Sequence, residues 1–278
     1  MKSLIVFILL FCFNILSEAQ PFVDLINVRN TYAFKNPEKS GTPFSHLYIG
    51  SDLPLKLKNN KYIILSPFYE KWNIDSSSYK NYLPSISSIA LAVSFMVPLD
   101  NNHCSLVATA IPRWNSEGLQ LENSFQLGGA VLANYKITEN KKYKLGVYVN
   151  KEFFGTFIMP LVGIDWKINN RNYLYGVLPG KLTYEHKINH LFYTGGNFRA
   201  ITNSYHLSNG NYVRIDDNQL SAYVDYYATK NIVLSTETGY GIMRQLSCGK
   251  EGSTNYQKDY NWGDGFFIKL CASYRIRL

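Results

Sequence analysis

The chain has 278 residues, 46% of them hydrophobic and 15% aromatic, with 28 Lys and Arg against 20 Asp and Glu for a formal net charge of +8 at pH 7. That length suits one large all-β domain or two ordinary ones. Past the amino terminus no window reaches eighteen apolar residues, and the longest candidate, Ile86 to Leu99, is broken by Ser87, Ser88, Ser94 and Pro98, so a helical membrane span is excluded.

In chain order, Lys2 precedes an apolar run from Leu4 to Phe13, and Ser17-Glu18-Ala19 offers small residues before a cut at Gln20. This is the pattern of a secretory leader over residues 1–19. Ten apolar residues fall short of the roughly 20 that cross a bilayer, and Phe11 before Cys12 is too bulky for lipid attachment. Export argues against nucleic acid as the partner of the basic charge and favours lipopolysaccharide and anionic lipid head groups. Cysteines at 104, 248 and 271 form an odd set, which is no disulfide framework.

Residues 20–278 then alternate between two kinds of break. Short polar turns are expected at Lys58 to Lys61, Asp100 to His103, Thr138 to Lys142, Asn169 to Asn172, Asn189-His190 and Thr229 to Asn231. Between them lie breaks that are often longer: Lys35 to Pro43, Asp75 to Lys80, Asn115 to Glu122, His206 to Tyr212 and Ser247 to Asp264, with tight ones near Gly155 and at Pro179-Gly180. Tight turns at one end and longer loops at the other mark a transmembrane, antiparallel up-and-down β-barrel. Counting back from the carboxyl terminus gives 14 strands, an even number as closure with both termini on one side requires, and the expected range is 12 to 14. The doubtful pair is the short hairpin from Tyr173 to Ile188.

The strands show two faces. Phe125, Leu127, Val131, Tyr135 and Ile137 oppose Gln126, Asn134 and Lys136; Leu220, Val224 and Tyr226 oppose Ser221 and Asp225. The strands near Ile63 and Val107 are ambiguous. Tyr62, Tyr143, Tyr173 and Phe192 just after the tight turns, and Tyr135, Trp166 and Tyr226 just before them, read as an interfacial aromatic girdle. In the final segment Phe266, Ile268, Leu270, Ala272, Tyr274, Ile276 and Leu278 form an apolar face opposite Lys269, Arg275 and Arg277, which predicts an integral wall strand.

Several blocks carry a family resemblance: Leu65 to Trp72, Ala110 to Asn115, Gly163 to Ile168, Phe198 to Tyr205, Arg214 to Leu220 and Tyr274 to Leu278. Together they resemble an outer-membrane β-barrel family of Bacteroidetes-type Gram-negative bacteria known as domain of unknown function 6268. The resemblance implies location in the outer membrane and the barrel fold, and brings no activity, cofactor or catalytic residue. Barrel-assembly machinery is an expected partner, although Leu278 stands where outer-membrane barrels commonly end in an aromatic residue.

Lumen-facing charges are the one constellation with physical weight. Arg199, Asp225, Glu237 and Lys269 fall near mid-height on four successive strands, either as salt bridges bracing the wall or as a constriction that selects solutes by charge. Lys136, Lys144, Lys167, Lys187, Arg275 and Arg277 gather low in the lumen as a basic inner rim, solvated or weakly anion-preferring. Asn203, His206, Ser208 and Asn209 contain the residue types of a nucleophilic site, but nothing orients the histidine. His186 and His190 flank a turn between strands, a poor metal frame. Asp216-Asp217-Asn218 lacks the glycine and terminal glutamate of a calcium loop. The expectation is a non-enzymatic, porin-like barrel without cofactor that passes or binds a small solute, or else displays loops as part of an envelope complex. A lipid-modifying enzyme ranks third.

Overall fold

Strict two-residue alternation produces strands with one oily and one wet face, and such strands gain most by pairing on both edges until the sheet closes. The computed structural model describes residues 21–36, 42–75, 85–99, 103–253, 256–260 and 262–278. The expected leader and parts of several loops lie outside these residues. The strands are β1 (Phe22–Ala33), β2 (Phe44–Gly50), β3 (Leu53–Lys56), β4 (Tyr62–Ile74), β5 (Ile86–Leu99), β6 (Cys104–Glu117), β7 (Phe125–Thr138) and β8 (Lys141–Glu152). They continue as β9 (Gly155–Lys167), β10 (Asn172–Leu178), β11 (Lys181–Lys187), β12 (Phe192–His206), β13 (Asn211–Tyr227), β14 (Ile232–Lys250), β15 (Tyr256–Tyr260) and β16 (Gly265–Arg277).

Fourteen of these close an antiparallel barrel. β3 continues the line of β2 along β4 after a break at Ser51-Asp52, and among the described residues β15 pairs with β14 alone. The barrel shuts where β1 meets β16, from Phe22 opposite Arg277 to Ala33 opposite Phe267. The strand expected at the carboxyl terminus is thus half of the closing seam. Leu270 is 59% exposed on the outer face, whereas Lys269 beside it is 2% exposed and points inward. Leu127, Leu145, Val162 and Leu220 continue the apolar exterior around the wall.

The ambiguous strand at Val107 resolves with Arg113 and Asn115 buried inside and Leu106 exposed outside. Its outward positions include Ala108 and Ala110, whose small side chains blur the alternation. Tyr135, Tyr143, Phe192 and Tyr226 lie exposed near the end where β1 begins and β16 finishes, the terminal end, and the rings of Phe192 and Tyr226 are 5.2 Å apart. Tyr62, expected in the same girdle, is buried.

Two irregularities shape the opposite, loop end. The β10–β11 hairpin belongs to the wall but is short: Leu178 pairs with Val162 and Lys181 with Arg199, so the loop-end halves of β9 and β12 have no hairpin between them. A register shift between β13 and β14 after Asp216, where Met243 takes a left-handed φ of 50°, bends the long β12–β13–β14 sheet. The bent sheet turns over the lumen until His206 of β12 bridges Ser116 of β6 in parallel. Beyond the bend, Tyr212, Val213, Ile215 and Asp217 are all buried, so β13 is covered on both faces there. Tyr205, Leu207, Val213, Ile215 and Leu246 from this sheet pack with Ala33, Phe44, Trp72, Ile86, Trp262 and Phe267. This apolar plug fills the loop end of the barrel.

Leu270→Arg, which places a cation at the middle of the lipid-facing seam, is expected to cost about 2 to 4 kcal/mol. Urea unfolding of the barrel in lipid vesicles measures it, and an unchanged midpoint would contradict the outward placement.

Candidate functional site

The lumen carries three tiers of polar side chains. At the terminal end β16 contributes Arg275 and Arg277. The Arg275 guanidinium lies 2.6 Å from Asp24 of β1 and 2.6 Å from Asp225 of β13, and stacks 3.5 Å from the centre of the Phe22 ring. Arg277 pairs with the buried Glu185 of β11, donates to Tyr227 Oη at 2.8 Å and lies over the Tyr193 ring. Lys144 pairs with Asp165 at 2.7 Å and Lys136 with Glu139 at 2.6 Å. Lys187 lies 5.9 Å from the centre of the Tyr193 ring, and Lys167 closes β9, its backbone N–H donating to Asn140. The rim residues are therefore interleaved with carboxylates and aromatic faces, a texture quite different from a bare basic ring.

At mid-height the four expected charges divide. Lys269 Nζ is 2.6 Å from Glu237 and also donates to Gln219 at 2.9 Å, while Ser221 donates to the Glu237 carboxylate at 2.6 Å. Asp225 belongs instead to Arg275 in the tier below. Arg199 sits directly across from Lys181 in the β11–β12 register. Around these groups lies a cavity of about 70 Å³, lined in part by Asp24, Arg29, Lys181, Arg199, Tyr223 and Glu237.

The third tier fastens the plug to the wall and has no counterpart in the sequence reading. Glu152, buried at the end of β8, receives Arg113 of β6 and Asn150 of its own strand. The same carboxylate accepts the Ser204 backbone N–H at 3.0 Å and the Ser204 hydroxyl at 2.5 Å, both from β12. Asn115 donates to the Ser204 carbonyl at 3.0 Å and Arg113 to Asn203 at 2.8 Å. On the other side Glu70 of β4 takes the Tyr205 hydroxyl at 2.7 Å, Asn203 at 3.1 Å and the His46 ring at 3.0 Å, with His46 stacked 3.7 Å from Trp72. At the bend Arg244 and Asp217 form a buried pair at 2.8 Å.

The remaining sequence candidates have other partners. His206 meets Glu251, and Ser208 donates to Glu117 at 2.7 Å, so serine and histidine are not hydrogen-bonded to each other. His186 bonds Asn172 at 2.7 Å. Asp216 pairs with Arg214 at 2.7 Å and Asp217 with Arg244. Among the described residues no group of three or more His, Cys, Asp or Glu is placed to hold a metal ion.

The family described as "Domain of unknown function (DUF6268)" matches residues 38–275. The chain belongs to that family. No curated protein matches the sequence. In fold, this DUF6268 barrel is similar to the NanC porin, at 10% identity and a TM-score of 0.44, covering 90% of this chain and 100% of that one. It is also similar to an outer membrane channel from Pseudomonas putida F1, at 9% identity and a TM-score of 0.47 over 94% and 98% of the two chains. A third likeness is to outer membrane phospholipase A from Escherichia coli, at 12% identity and a TM-score of 0.38 over 94% and 93%. These are likenesses of barrel architecture alone.

Glu237→Gln would strand Lys269 among buried neighbours, and removing one partner of such a pair costs about 3 kcal/mol. Adding Lys269→Met should recover most of that loss. Urea midpoints of the two variants read the difference, and equal midpoints for Glu237→Gln and wild type would contradict a bracing role.

Proposed function

We propose that this barrel lies in an outer membrane with its terminal end toward the periplasm and takes a small polar solute into its lumen from that side. The orientation follows the convention of such barrels, short turns and termini inside and longer loops outside. The observation that carries the reading is the polar cavity at mid-height beneath an apolar plug. Fourteen strands enclose more space than wall side chains alone fill, and here the loop end is closed by folded chain while the space below keeps charged walls. The arrangement is that of a closed state: solute is held below the plug, and passage requires the β12–β14 sheet to swing off the wall.

The same plug favours a second reading, a barrel that stays shut and presents its loop end to a partner in the envelope. Conductance separates the two. Tyr205 is fully buried in the plug and donates to Glu70, so Tyr205→Ala removes both a packed ring and a hydrogen bond, a loss of about 3 kcal/mol. In planar bilayers the wild-type barrel should conduct little and Tyr205→Ala should open far more often. If the variant stays as silent as the wild type while remaining folded, the passage reading fails and the display reading stands.

A further inference from the structure

Some of the lumen cations make no ion pair among the described residues. Lys181 and Arg199 are direct cross-strand neighbours, and like charges in that position repel and destabilise the pair. Arg29 reaches the same cavity from β1, its guanidinium 4.4 Å from the centre of the Tyr48 ring. Lys181 feels the charges of Arg199 and Arg29 more strongly than those of Glu237 and Asp24, and Arg199 feels Arg29 more strongly than Glu237. Among the described residues none of the three makes an ion pair. The carboxylates that line the cavity are already engaged: Asp24 and Asp225 by Arg275, and Glu237 by Lys269. Among the described residues four cations, Arg29, Lys181, Arg199 and Arg275, thus line the cavity with three carboxylates.

A second observation points to the same place. Tyr223 of β13 is 7% exposed and lines the cavity, and its hydroxyl has no hydrogen-bond partner among the described residues. A buried hydroxyl without a partner carries a desolvation cost. Surplus positive charge and an unanswered donor at one cavity have a common resolution.

We propose that the mid-lumen cavity binds a small oxyanion, a phosphate or carboxylate group, held by Arg29, Lys181 and Arg199 and by a hydrogen bond donated from the Tyr223 hydroxyl. The Arg199 guanidinium offers a planar fork that matches two oxygens of such a group, and Lys181 beside it adds a point charge. The anion cancels the cross-strand repulsion, and the paired carboxylates around the cavity limit the site to a compact ligand. This deepens the solute reading above and rests on it for the route by which the anion arrives.

The test uses the full mature barrel in detergent, titrated calorimetrically with inorganic phosphate and separately with sodium acetate, each at ionic strength held constant with chloride. At least one of the two anions should bind and raise the melting temperature. Arg199→Gln should weaken that binding about tenfold or more, the equivalent of one charged hydrogen bond, and Tyr223→Phe should weaken it to a lesser degree. In chloride alone Arg199→Gln should melt higher than wild type, because it removes repulsion, an effect opposite to the loss of a structural contact. If neither anion binds the wild type, or both bind wild type and Arg199→Gln equally, the proposal is overturned. Anion binding without conductance in Tyr205→Ala would sink passage and leave this site standing, whereas conductance without anion binding would sink this site alone.

Discussion

The arrangement of the whole lumen depends on one buried carboxylate receiving one backbone segment: Glu152 at the end of β8 accepts the N–H and the hydroxyl of Ser204 from β12. The need for it begins with the short β10–β11 hairpin. Where that hairpin stops at Leu178 to Lys181, the β12 edge loses its neighbour, and an unpaired strand edge facing lipid has backbone groups with nothing to bond. The chain answers by turning that edge inward. Ala200 N–H goes to the hairpin carbonyls, Ser204 N–H to Glu152, the Ser204 carbonyl to Asn115, and His206 bridges Ser116. Side chains inside the barrel thus replace the missing strand.

Packing follows from that turn. Once β12 crosses the lumen it carries β13 and β14 with it, the register shift after Asp216 permits the bend, and the apolar residues beyond the bend meet Phe44, Trp72 and Trp262 at the mouth. Glu152 and Arg113 would be costly as isolated buried charges, but here each is answered several times over. The same rule separates the tiers below. Arg275, Arg277, Lys144 and Lys269 all have carboxylate partners, which makes them part of the wall, while among the described residues Arg29, Lys181 and Arg199 form no ion pair, which is why the proposed anion is placed beside them.

The wall was legible in the sequence: the spacing of polar breaks gives the turns and the strand count, and period-two patterning gives the inward and outward faces of the Phe125 and Leu220 strands and the wall strand at Phe266 to Leu278. The plug was not legible, for a physical reason. Alternation reports two faces but not what lies against the inner one, so Tyr205, Val213, Ile215 and Leu246 read as ordinary wall positions. The Glu152 and Glu70 networks join residues far apart in sequence, such as Glu70 with Tyr205 and Arg113 with Asn203, and no local spacing announces them. Yet the blocks Leu65 to Trp72, Ala110 to Asn115 and Phe198 to Tyr205, set apart earlier only by resemblance, are the segments that meet there. Among the charges, position along a strand placed Glu237 and Lys269 together, but it joined Asp225 and Arg199 to them as well. Strand register places Asp225 opposite Ser235 rather than Glu237, within reach of Arg275, and sets Arg199 against Lys181 of the short hairpin.

The closure of the loop end by β12 is tested most directly by a disulfide across the lumen. Ser116 and His206 are bridge partners in the structure, which brings their α-carbons within disulfide reach, whereas in an open barrel with β12 upright in the wall they would be far apart. With Cys104, Cys248 and Cys271 replaced by serine, Ser116→Cys and His206→Cys together should form a disulfide rapidly under mild oxidation in native membranes, read as a mobility change reversed by reductant. Two thiols that remain fully reactive to maleimide after the same oxidation would contradict the inward fold of β12.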